Sequence, residues 1–380
     1  MSERIMPYEF VTTDSRLQEL LDEHVGEERY AFDTEFDNRR TYYPRLALVQ
    51  IAWPDFIMLV DPFSVDVRLL APLFASDATA TAHAASNDLA VLDRYLSVRP
   101  TRLFDTQIAA QMVGMRGSSL AYLASELLSL ELDKSEQTSD WTVRPLSSAA
   151  EIYATNDVAH LFDLADELFI DLTALGRVAA FDEECEATLT ATSRELQPQR
   201  SWWNVSNRET VDAADELALQ YLAGTREELA EMLNVTRRYL VPDDVLLAMA
   251  KARPRSIDAV RSFIGRRVDE AYLPQFVDAI RTAETSDGSE LERPFDDRGT
   301  DTRSLVSLLQ ALVWQTAHGM SLESSFLASK NDLLARIDGR PSKLDRGWRH
   351  EAITSVVDGV IAGELAVAWR DGQLQLVTPA

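Results

Sequence analysis

In the stretch Phe32-Asp33-Thr34-Glu35-Phe36, an apolar segment with the composition of a β-strand carries two carboxylates two residues apart. Side chains two positions apart on a strand lie on the same face, so Asp33 and Glu35 are expected to be neighbours. Adjacent carboxylates repel each other, and a divalent cation with oxygen ligands, such as Mg²⁺ or Mn²⁺, is the usual compensation. Alone, this triplet is a weak signal, because the chain has 62 acidic residues.

The residues around this stretch alternate between short apolar strands and helical segments, which is typical of an α/β domain. The predicted strands are Tyr8 to Val11, Tyr30 to Thr34, Leu46 to Trp53, Phe56 to Val60 and Thr79 to Ala84. The predicted helices are Ser15 to His24, Arg68 to Phe74 and Asn87 to Leu96. The second, third and fourth strands are close enough for hairpins, whereas the last follows a helix, so a mixed sheet is expected.

Two further features of the sequence strengthen the prediction of a metal site. Asp88 begins the helix that follows the strand ending near Ala84, and Tyr153 and Asp157 are four residues apart on a predicted helix, where they share a face. Each has a structural alternative: Asp88 suits a helix N-terminus, and Tyr153 with Asp157 could belong to a surface helix. Four carboxylates and one tyrosine are together sufficient to hold two ions about 4 Å apart.

These residues resemble the motifs of the DEDD exonuclease superfamily, tyrosine subgroup, and within it the ribonuclease D family. Asp33 and Glu35 match the first motif, Asp88 the second, and Tyr153 with Asp157 the third. Other segments that resemble this family are Thr41-Tyr42-Tyr43-Pro44, Leu48-Val49-Gln50, His83-Ala84-Ala85-Ser86, Phe104-Asp105-Thr106-Gln107, Leu132-Asp133-Lys134-Ser135, Asp140-Trp141 and Arg144-Pro145-Leu146. Where many superfamily members have Asn four residues before the second-motif Asp, this sequence has Ala84, as is usual in the ribonuclease D branch.

The resemblance implies both a fold and an activity. The fold is an RNase H-like mixed-sheet exonuclease domain followed by two all-α domains similar to HRDC modules. The activity is 3′-to-5′ exoribonucleolytic release of nucleoside 5′-monophosphates with two divalent cations, Mg²⁺ or Mn²⁺, and the family suggests tRNA precursors as substrates. By the same resemblance, Asp33, Glu35, Asp88 and Asp157 hold metal and Tyr153 orients the attacking water.

Five other residues are candidate contacts for RNA. Lys134 and Arg144 lie in the polar stretch before the third motif and could contact phosphate, with solvent-exposed loop charges as the alternative. Tyr42 and Trp141 could stack on an unpaired base, with core packing as the alternative. Gln50 ends one of the segments that resemble the family.

The composition changes after the first half of the chain. Beyond about Arg194 no strand is predicted, and apolar residues recur at helical spacing. Glu284 to Thr300 contains too few apolar residues to be buried. The expected division is an exonuclease domain over 1–175, a helical connector over 176–207, a first HRDC domain over 208–283, a flexible acidic linker over 284–300 and a second, divergent HRDC-like domain over 301–380.

The net charge of −25 at first argues against a partner that is itself a polyanion, because phosphate binding depends on Lys and Arg. The charge is unevenly distributed, however. A basic island between Arg237 and Arg267 holds eight basic and three acidic residues, a local charge of +5. Its members are Arg237, Arg238, Lys251, Arg253, Arg255, Arg261, Arg266 and Arg267. The island is compatible with a focused RNA contact or with an ordinary solvated helix face.

The remaining features bear on compartment and on rival functions. With Cys185 as its one cysteine, the sequence cannot form an internal disulfide or a cysteine-based zinc site, and no leader or long apolar span is evident. We therefore expect a cytoplasmic monomer without a membrane partner, acting on RNA that has a free 3′ end. The rival functions are a DNA 3′ exonuclease of the same superfamily and a non-catalytic nucleic-acid-binding scaffold.

Overall fold

The computed structural model describes residues 6–133, 136, 139–191, 198–293 and 302–379. These residues pack as two compact units. The first unit comprises the described residues up to Glu35, those between 46 and 191, and 302–379. The second comprises 36–45 and 198–293. No described helix is both long enough and apolar enough to cross a membrane.

A six-stranded sheet organises the first unit. Its strands are Tyr8–Val11 (β1), Arg29–Asp37 (β2), Arg45–Trp53 (β3), Phe56–Val60 (β4), Thr79–Ala82 (β5) and Arg102–Asp105 (β6). Their order across the sheet is β1-β4-β3-β2-β5-β6. Strand β3 pairs antiparallel with β4, whereas the β1–β4, β2–β5 and β5–β6 pairs are parallel. The predicted mixed sheet is confirmed, but the sequence analysis did not predict β6, the four-residue strand at one edge of the sheet.

Eight α-helices pack around this sheet in the described residues up to 191. They are Asp14–Glu23 (α1), Ala71–Phe74 (α2), Ser86–Leu96 (α3), Thr106–Val113 (α4), Leu120–Leu128 (α5), Ser148–Ala159 (α6), Leu161–Ala174 (α7) and Val178–Thr190 (α8). Helix α6 buries Ala150, Ala154 and Val158, which are spaced four residues apart and so form one stripe. This stripe packs on the sheet with Ala31 of β2 and with Leu48 and Ala52 of β3.

The second unit is helical. Its helices are Glu216–Met232 (α9), Arg237–Leu240 (α10), Asp243–Ala252 (α11), Ile257–Ile264 (α12) and Leu273–Thr285 (α13), after two 3₁₀ segments at Pro198–Asn204 and Arg208–Thr210. They enclose a core that includes Trp202, Leu219, Leu222 and Phe276. A buried ion pair joins Arg226 of α9 to Asp243 of α11 at 2.6 Å, and Arg226 also donates to the carbonyl oxygen of Val241.

The residues that follow β2 belong to this helical unit. The Tyr42 hydroxyl donates to Oε1 of Glu227 at 2.6 Å, and the Tyr43 hydroxyl donates to Glu231. The backbone N–H of Thr236 donates to the carbonyl oxygen of Arg40 at 3.3 Å. Glu227 is only 1% exposed, and a buried carboxylate is stable only where donors surround it. The tyrosines of this segment therefore supply partners to acids of α9.

The predicted flexible linker cannot begin at Glu284, because α13 continues to Thr285 and the chain after it is held by hydrogen bonds. The carbonyl oxygen of Glu292 accepts from Nε1 of Trp202 at 3.0 Å and from Nε1 of Trp203 at 2.8 Å. Both the N–H of Glu292 and the carbonyl oxygen of Glu290 bond to the Gln220 amide. Low apolar content did not reveal these backbone contacts. Residues 294–300 of the predicted linker lie outside the described part of the chain.

The last described part, 302–379, combines helices with a β-hairpin. The helices are Arg303–Gly319 (α14), Ser324–Leu327 (α15), Lys330–Ile337 (α16), Gly347–Arg349 (α17) and Ser355–Ile361 (α18), with a π-helical turn over His350–Thr354. The hairpin pairs Ala366–Arg370 (β7) with Gln373–Val377 (β8). The expectation of no strand beyond Arg194 is therefore wrong here. Asp371 and Gly372 form the turn with φ of 52° and 78°, which fits the Asp-Gly signal of a type I′ hairpin.

This part of the chain packs in the first unit through α8. Arg349 forms an ion pair with Glu184, and Nε1 of Trp348 donates to the same carboxylate at 2.7 Å. The backbone N–H of Trp348 donates to Glu183 at 3.1 Å. Gly347 has a φ of +71°, and a Cβ atom there would lie 1.5 Å from Oε1 of Glu183, so both the backbone and the contact require glycine.

Candidate active site

The alternation of β2 explains why Asp33 and Glu35 face a helix. Ala31, Asp33 and Glu35 are two residues apart in turn, so all three lie on one face of the strand. Ala31 is fully buried against the α6 stripe, including Ala154. The two carboxylates that follow Ala31 on the same face are therefore directed to the α6 side of the sheet.

Helix α6 supplies the third carboxylate of the group. The Ser147 hydroxyl caps its N-terminus by accepting the N–H of Ala150 at 3.1 Å. Tyr153 and Asp157 are one turn apart and half-buried. One carboxylate oxygen from each of Asp33, Glu35 and Asp157 lies within 4.8 Å of the other two. The structure thus brings together acids that are more than 120 residues apart in the sequence.

The fourth acid, Asp88, is on helix α3 rather than on β2 or α6. It is in the first turn of α3, it is buried, and Oδ1 accepts a hydrogen bond from the Thr34 hydroxyl at 2.5 Å. Asp88 is not part of the group of three, but its charge raises the pKa values of Asp33, Glu35 and Asp157. All four predicted acids therefore act on one another electrostatically.

Burial and mutual repulsion change the titration of these acids. Burial is the main reason why the pKa of Asp33 lies well above its usual range, followed by the charges of Asp88, Asp157 and Glu35. Burial, followed by the charges of Asp157 and Asp88, raises the pKa of Glu35 to about 9. Burial, followed by the charge of Asp88, raises the pKa of Asp157 to about 7. Burial raises the pKa of Asp88 to about 6, against the lowering effect of the Thr34 hydrogen bond.

This arrangement fits a divalent cation. The grouped donor atoms are all carboxylate oxygens, which suit hard cations such as Mg²⁺ and Mn²⁺. Clustered carboxylates with raised pKa values are unfavourable as anions in the protein alone, and a bound cation would compensate their charge. The residues present therefore fit the divalent cation that the sequence predicts.

Tyr153 borders the acids with its hydroxyl protonated. Its pKa is raised first by burial and then by the negative charges of Asp157, Glu35 and Asp33. Its ring is tilted against that of Trp141, with 5.9 Å between the ring centres. A phenol that keeps its proton at neutral pH can orient a neighbouring molecule by hydrogen bonding but is a poor proton acceptor.

We expect the metal-free protein to lose stability as the pH rises from about 6 to about 8.5, and Mg²⁺ to stabilise it more at the higher pH. Groups with pKa values raised by folding stabilise the folded state while protonated, and this contribution is lost as the pH approaches the folded values of about 7 for Asp157 and about 9 for Glu35. Thermal unfolding with chelator and with excess Mg²⁺, at several pH values, measures both effects.

The variant Asp157→Asn provides the control for this prediction. It removes one titrating carboxylate and one predicted ligand, so both the loss of stability with pH and the gain from Mg²⁺ should become smaller. If Mg²⁺ stabilised the unmodified protein equally near pH 6 and near pH 8.5, the result would contradict the link between these acids and the cation.

Two of the predicted RNA contacts lie in the protein interior. Gln50 of β3 is 0% exposed, and neither the nitrogen nor the oxygen of its amide has a hydrogen-bond partner among the residues that the structure describes. Trp141 is 4% exposed and packs beside Tyr153, and its Nε1 has no partner within the described part of the chain. The predictions that Gln50 contacts RNA and that Trp141 stacks on a base are not supported in this conformation, because neither side chain offers surface to a ligand.

Arg144 and Tyr42 are also engaged elsewhere. The Arg144 guanidinium forms an ion pair with Asp61 at 2.8 Å and donates to the carbonyl oxygens of Ala47, Trp141 and Val143. Its donors are thus used within the protein, which does not support the predicted phosphate contact. Tyr42 bonds to Glu227 in the second unit and is a packing residue there. Lys134 lies outside the described residues.

The basic island is partly neutralised within the second unit. Arg237, Arg238, Arg253, Arg255 and Arg261 form ion pairs with acids, at distances from 2.7 to 3.9 Å. Three members are exposed and form no ion pair among the described residues, namely Lys251, Arg266 and Arg267. The count of +5 from the sequence therefore overstates the free positive charge, because the acids that pair with the island lie largely outside it.

Two residues near the acids were not singled out from the sequence. Thr34 bonds to Asp88, and Asp105 accepts four backbone N–H groups at the start of α3 and α4. Thr34 is positioned between the two first-motif acids, and Asp105 lies in one of the segments that resemble the ribonuclease D family. The sequence thus contained both residues, but the contact of each depends on a partner distant in the chain.

A cavity of about 720 Å³ in the first unit lies apart from the group of acids. Tyr30, Trp53 and Leu73 are among the residues that line it, and none of the four acids or Tyr153 does. Several exposed acids also line it, including Asp22, Glu27 and Asp77. Such a lining repels phosphate, so the cavity does not fit RNA.

Known proteins resemble the chain over most of its length. Residues 8–172 match the 3′-5′ exonuclease domain family and residues 215–280 match the HRDC domain family. The chain is 31% identical to ribonuclease D of Xanthomonas oryzae pv. oryzae, over 93% of this chain and 98% of that relative. Among solved structures, Escherichia coli RNase D superposes with a TM-score of 0.83 at 26% identity, covering 94% of this chain and 99% of that one. The chain therefore belongs to the ribonuclease D family.

Proposed function

We propose that this metal-dependent 3′-5′ exoribonuclease uses two divalent cations, Mg²⁺ or Mn²⁺, to release nucleoside 5′-monophosphates from structured RNAs such as tRNA precursors. The observation that carries the proposal is the group of carboxylates from Asp33, Glu35 and Asp157, with Asp88 close enough to raise the pKa of each. When bound, the cations would activate the attacking water and neutralise charge on the phosphate and the leaving oxygen.

The protein's contribution in this proposal is position and charge. Asp33, Glu35 and Asp157 converge from a strand and a helix that share one packed interface, so the ligands are held on rigid elements. Asp88, fixed by the Thr34 hydroxyl, provides the fourth carboxylate from a separate helix. The Tyr153 hydroxyl, which keeps its proton, orients the attacking water by a hydrogen bond.

The choice of RNA rests on other features. The E. coli structure is described as that of an exoribonuclease involved in structured RNA processing, and we extend that substrate class to this chain. Lys251, Arg266 and Arg267 are exposed basic residues of the helical unit with no ion pair among the described residues. Cations of this kind attract phosphate without sequence preference, and a folded RNA offers many phosphates at once.

The proposal is tested with three substrates: a short single-stranded RNA, the same sequence as DNA, and a tRNA with a 3′ extension. We expect hydrolysis of both RNAs with Mg²⁺ or Mn²⁺, none with chelator, and much slower hydrolysis of the DNA. The variant Lys251→Ala/Arg266→Ala/Arg267→Ala should have a raised KM and a weaker salt dependence for the tRNA, with kcat on the short RNA unchanged.

A second triple variant separates local contact from net charge. Lys343→Ala/Arg346→Ala/Arg370→Ala removes the same charge from exposed positions in the last part of the chain. An equal rise of KM in the two variants would show that only net charge matters. Preferred hydrolysis of the DNA would favour the rival DNA exonuclease, and no hydrolysis of any substrate would favour the non-catalytic scaffold.

A further inference from the structure

Asp105 is a buried carboxylate that joins two helix starts. It is 1% exposed and ends β6, in register with Ala82 at the end of β5. Its oxygens accept the N–H groups of Gln107 and Ile108, which caps α4. They also accept the N–H of Ala84 at 3.0 Å and that of Ala85 at 2.9 Å, across the gap between the two strand ends.

The turn at Ala84 and Ala85 has a strained backbone, and the helix that follows it has no side-chain N-cap. Ala84 has a φ of 59°, a left-handed conformation that is unfavourable for a residue with a Cβ atom. Ala85 is the N-cap residue of α3, and no side chain of its own caps that helix. Such conformations persist only where the surroundings enforce them, and the Asp105 carboxylate bonds to both residues of the turn.

Asp88 is fixed through this turn. It lies in the first turn of α3, three residues after Ala85, so the direction in which the helix leaves the sheet determines where its carboxylate points. The neighbouring Thr106 hydroxyl donates to the carbonyl oxygen of Ala82 at 3.2 Å and adds a second link between the same strand ends. The start of α3 is thus anchored to the end of β6.

We propose that Asp105 is a positioning residue for metal binding, because its carboxylate holds the Ala84–Ala85 turn from which α3 presents Asp88. The inference rests on the metal-binding role of Asp88 in the function proposed above. Outer partners that orient metal ligands typically change metal affinity by about 10- to 100-fold when they are removed. Asp105 acts at a greater distance, through the backbone, so we expect the lower end of that range.

The test measures Mn²⁺ binding directly, without RNA, from the electron paramagnetic resonance signal of free Mn²⁺ during titration of the full chain. Asp105→Asn keeps the shape of the side chain but places an amide where a carboxylate oxygen accepted an N–H. It is expected to raise the Mn²⁺ concentration at half-saturation by about tenfold. Asp88→Asn should weaken binding at least as much, and the double variant should bind no more weakly than Asp88→Asn alone.

Asp332→Asn is the matched control for general destabilisation. Asp332 accepts the backbone N–H of Ser329 in the capping box of α16, so its loss should lower the unfolding temperature without changing Mn²⁺ binding. Unchanged Mn²⁺ binding in a folded Asp105→Asn, or effects of Asp105→Asn and Asp88→Asn that add in full, would overturn the inference. If Asp88→Asn itself leaves binding unchanged, the proposed metal role of Asp88 fails, and the positioning role of Asp105 fails with it.

Discussion

Replacement of Asp157 by Asn is expected to reduce RNA hydrolysis by on the order of 10³-fold or more, and Asp33→Asn should have a similar effect. Each change removes the negative charge of one carboxylate from the group of three whose oxygens lie within 4.8 Å of one another. A bound cation stabilises charge in the transition state by several kcal/mol, and about 4 kcal/mol corresponds to a factor of 10³ in rate. The measurement is turnover of a short RNA at saturating Mn²⁺.

The same variants should be at least as stable as the unmodified protein when metal is absent. Each removes one of several buried like charges, so thermal unfolding in chelator near pH 8 should occur at an unchanged or higher temperature. Asp163→Asn on α7 is the control, because this exposed acid is outside the group of three and should affect neither turnover nor stability strongly. Turnover above a few per cent of normal in either site variant would show that the assignment of these acids is wrong.

The convergence of the acids was predictable because local rules connect their spacing to their direction. Alternation along β2 places Asp33 and Glu35 on one face, and helical spacing does the same for Tyr153 and Asp157 on α6. Local rules do not predict which distant residue a side chain will contact. Thr34 meets Asp88 across 54 residues, and Tyr42 meets Glu227 across 185, so these contacts depend on how the elements pack.

Charge and composition were less informative than spacing. Composition predicted a flexible linker from Glu284. In the structure, however, the indole of Trp202 and the side-chain amide of Gln220 form hydrogen bonds with the backbone of Glu290 and Glu292. The Asp371-Gly372 turn shows a different failure, since its sequence is a recognised hairpin signal between short strands. The Asp-Gly pair was therefore sufficient to predict the hairpin, but the helical spacing of the preceding residues led to a prediction without strands.

Replacement of Tyr153 by Phe should lower kcat by on the order of 10²-fold while the affinity for RNA stays nearly the same. The change deletes one hydroxyl and little packing, because the ring keeps its contact with Trp141. The hydroxyl is proposed to orient the attacking water, and an oriented group contributes to the transition state more than to the bound ground state. Separate measurements of kcat and of RNA binding in the presence of Ca²⁺ in place of Mg²⁺ distinguish the two.

Tyr8→Phe is the matched control, since the Tyr8 hydroxyl donates to Glu151 of the same helix α6 at 3.0 Å. It should leave kcat unchanged, so an equal loss in the two variants would indicate a disturbed helix rather than a lost orienting group.

The dependence of kcat on pH separates orientation of the water by Tyr153 from proton abstraction by Tyr153. Burial and Asp157 raise the pKa of Tyr153 above its usual value, so the residue cannot supply the ionisation that limits the rate near neutral pH. Tyr153→Phe should therefore lower the whole pH profile without changing its shape, whereas loss of a limb of that profile would identify Tyr153 as the base.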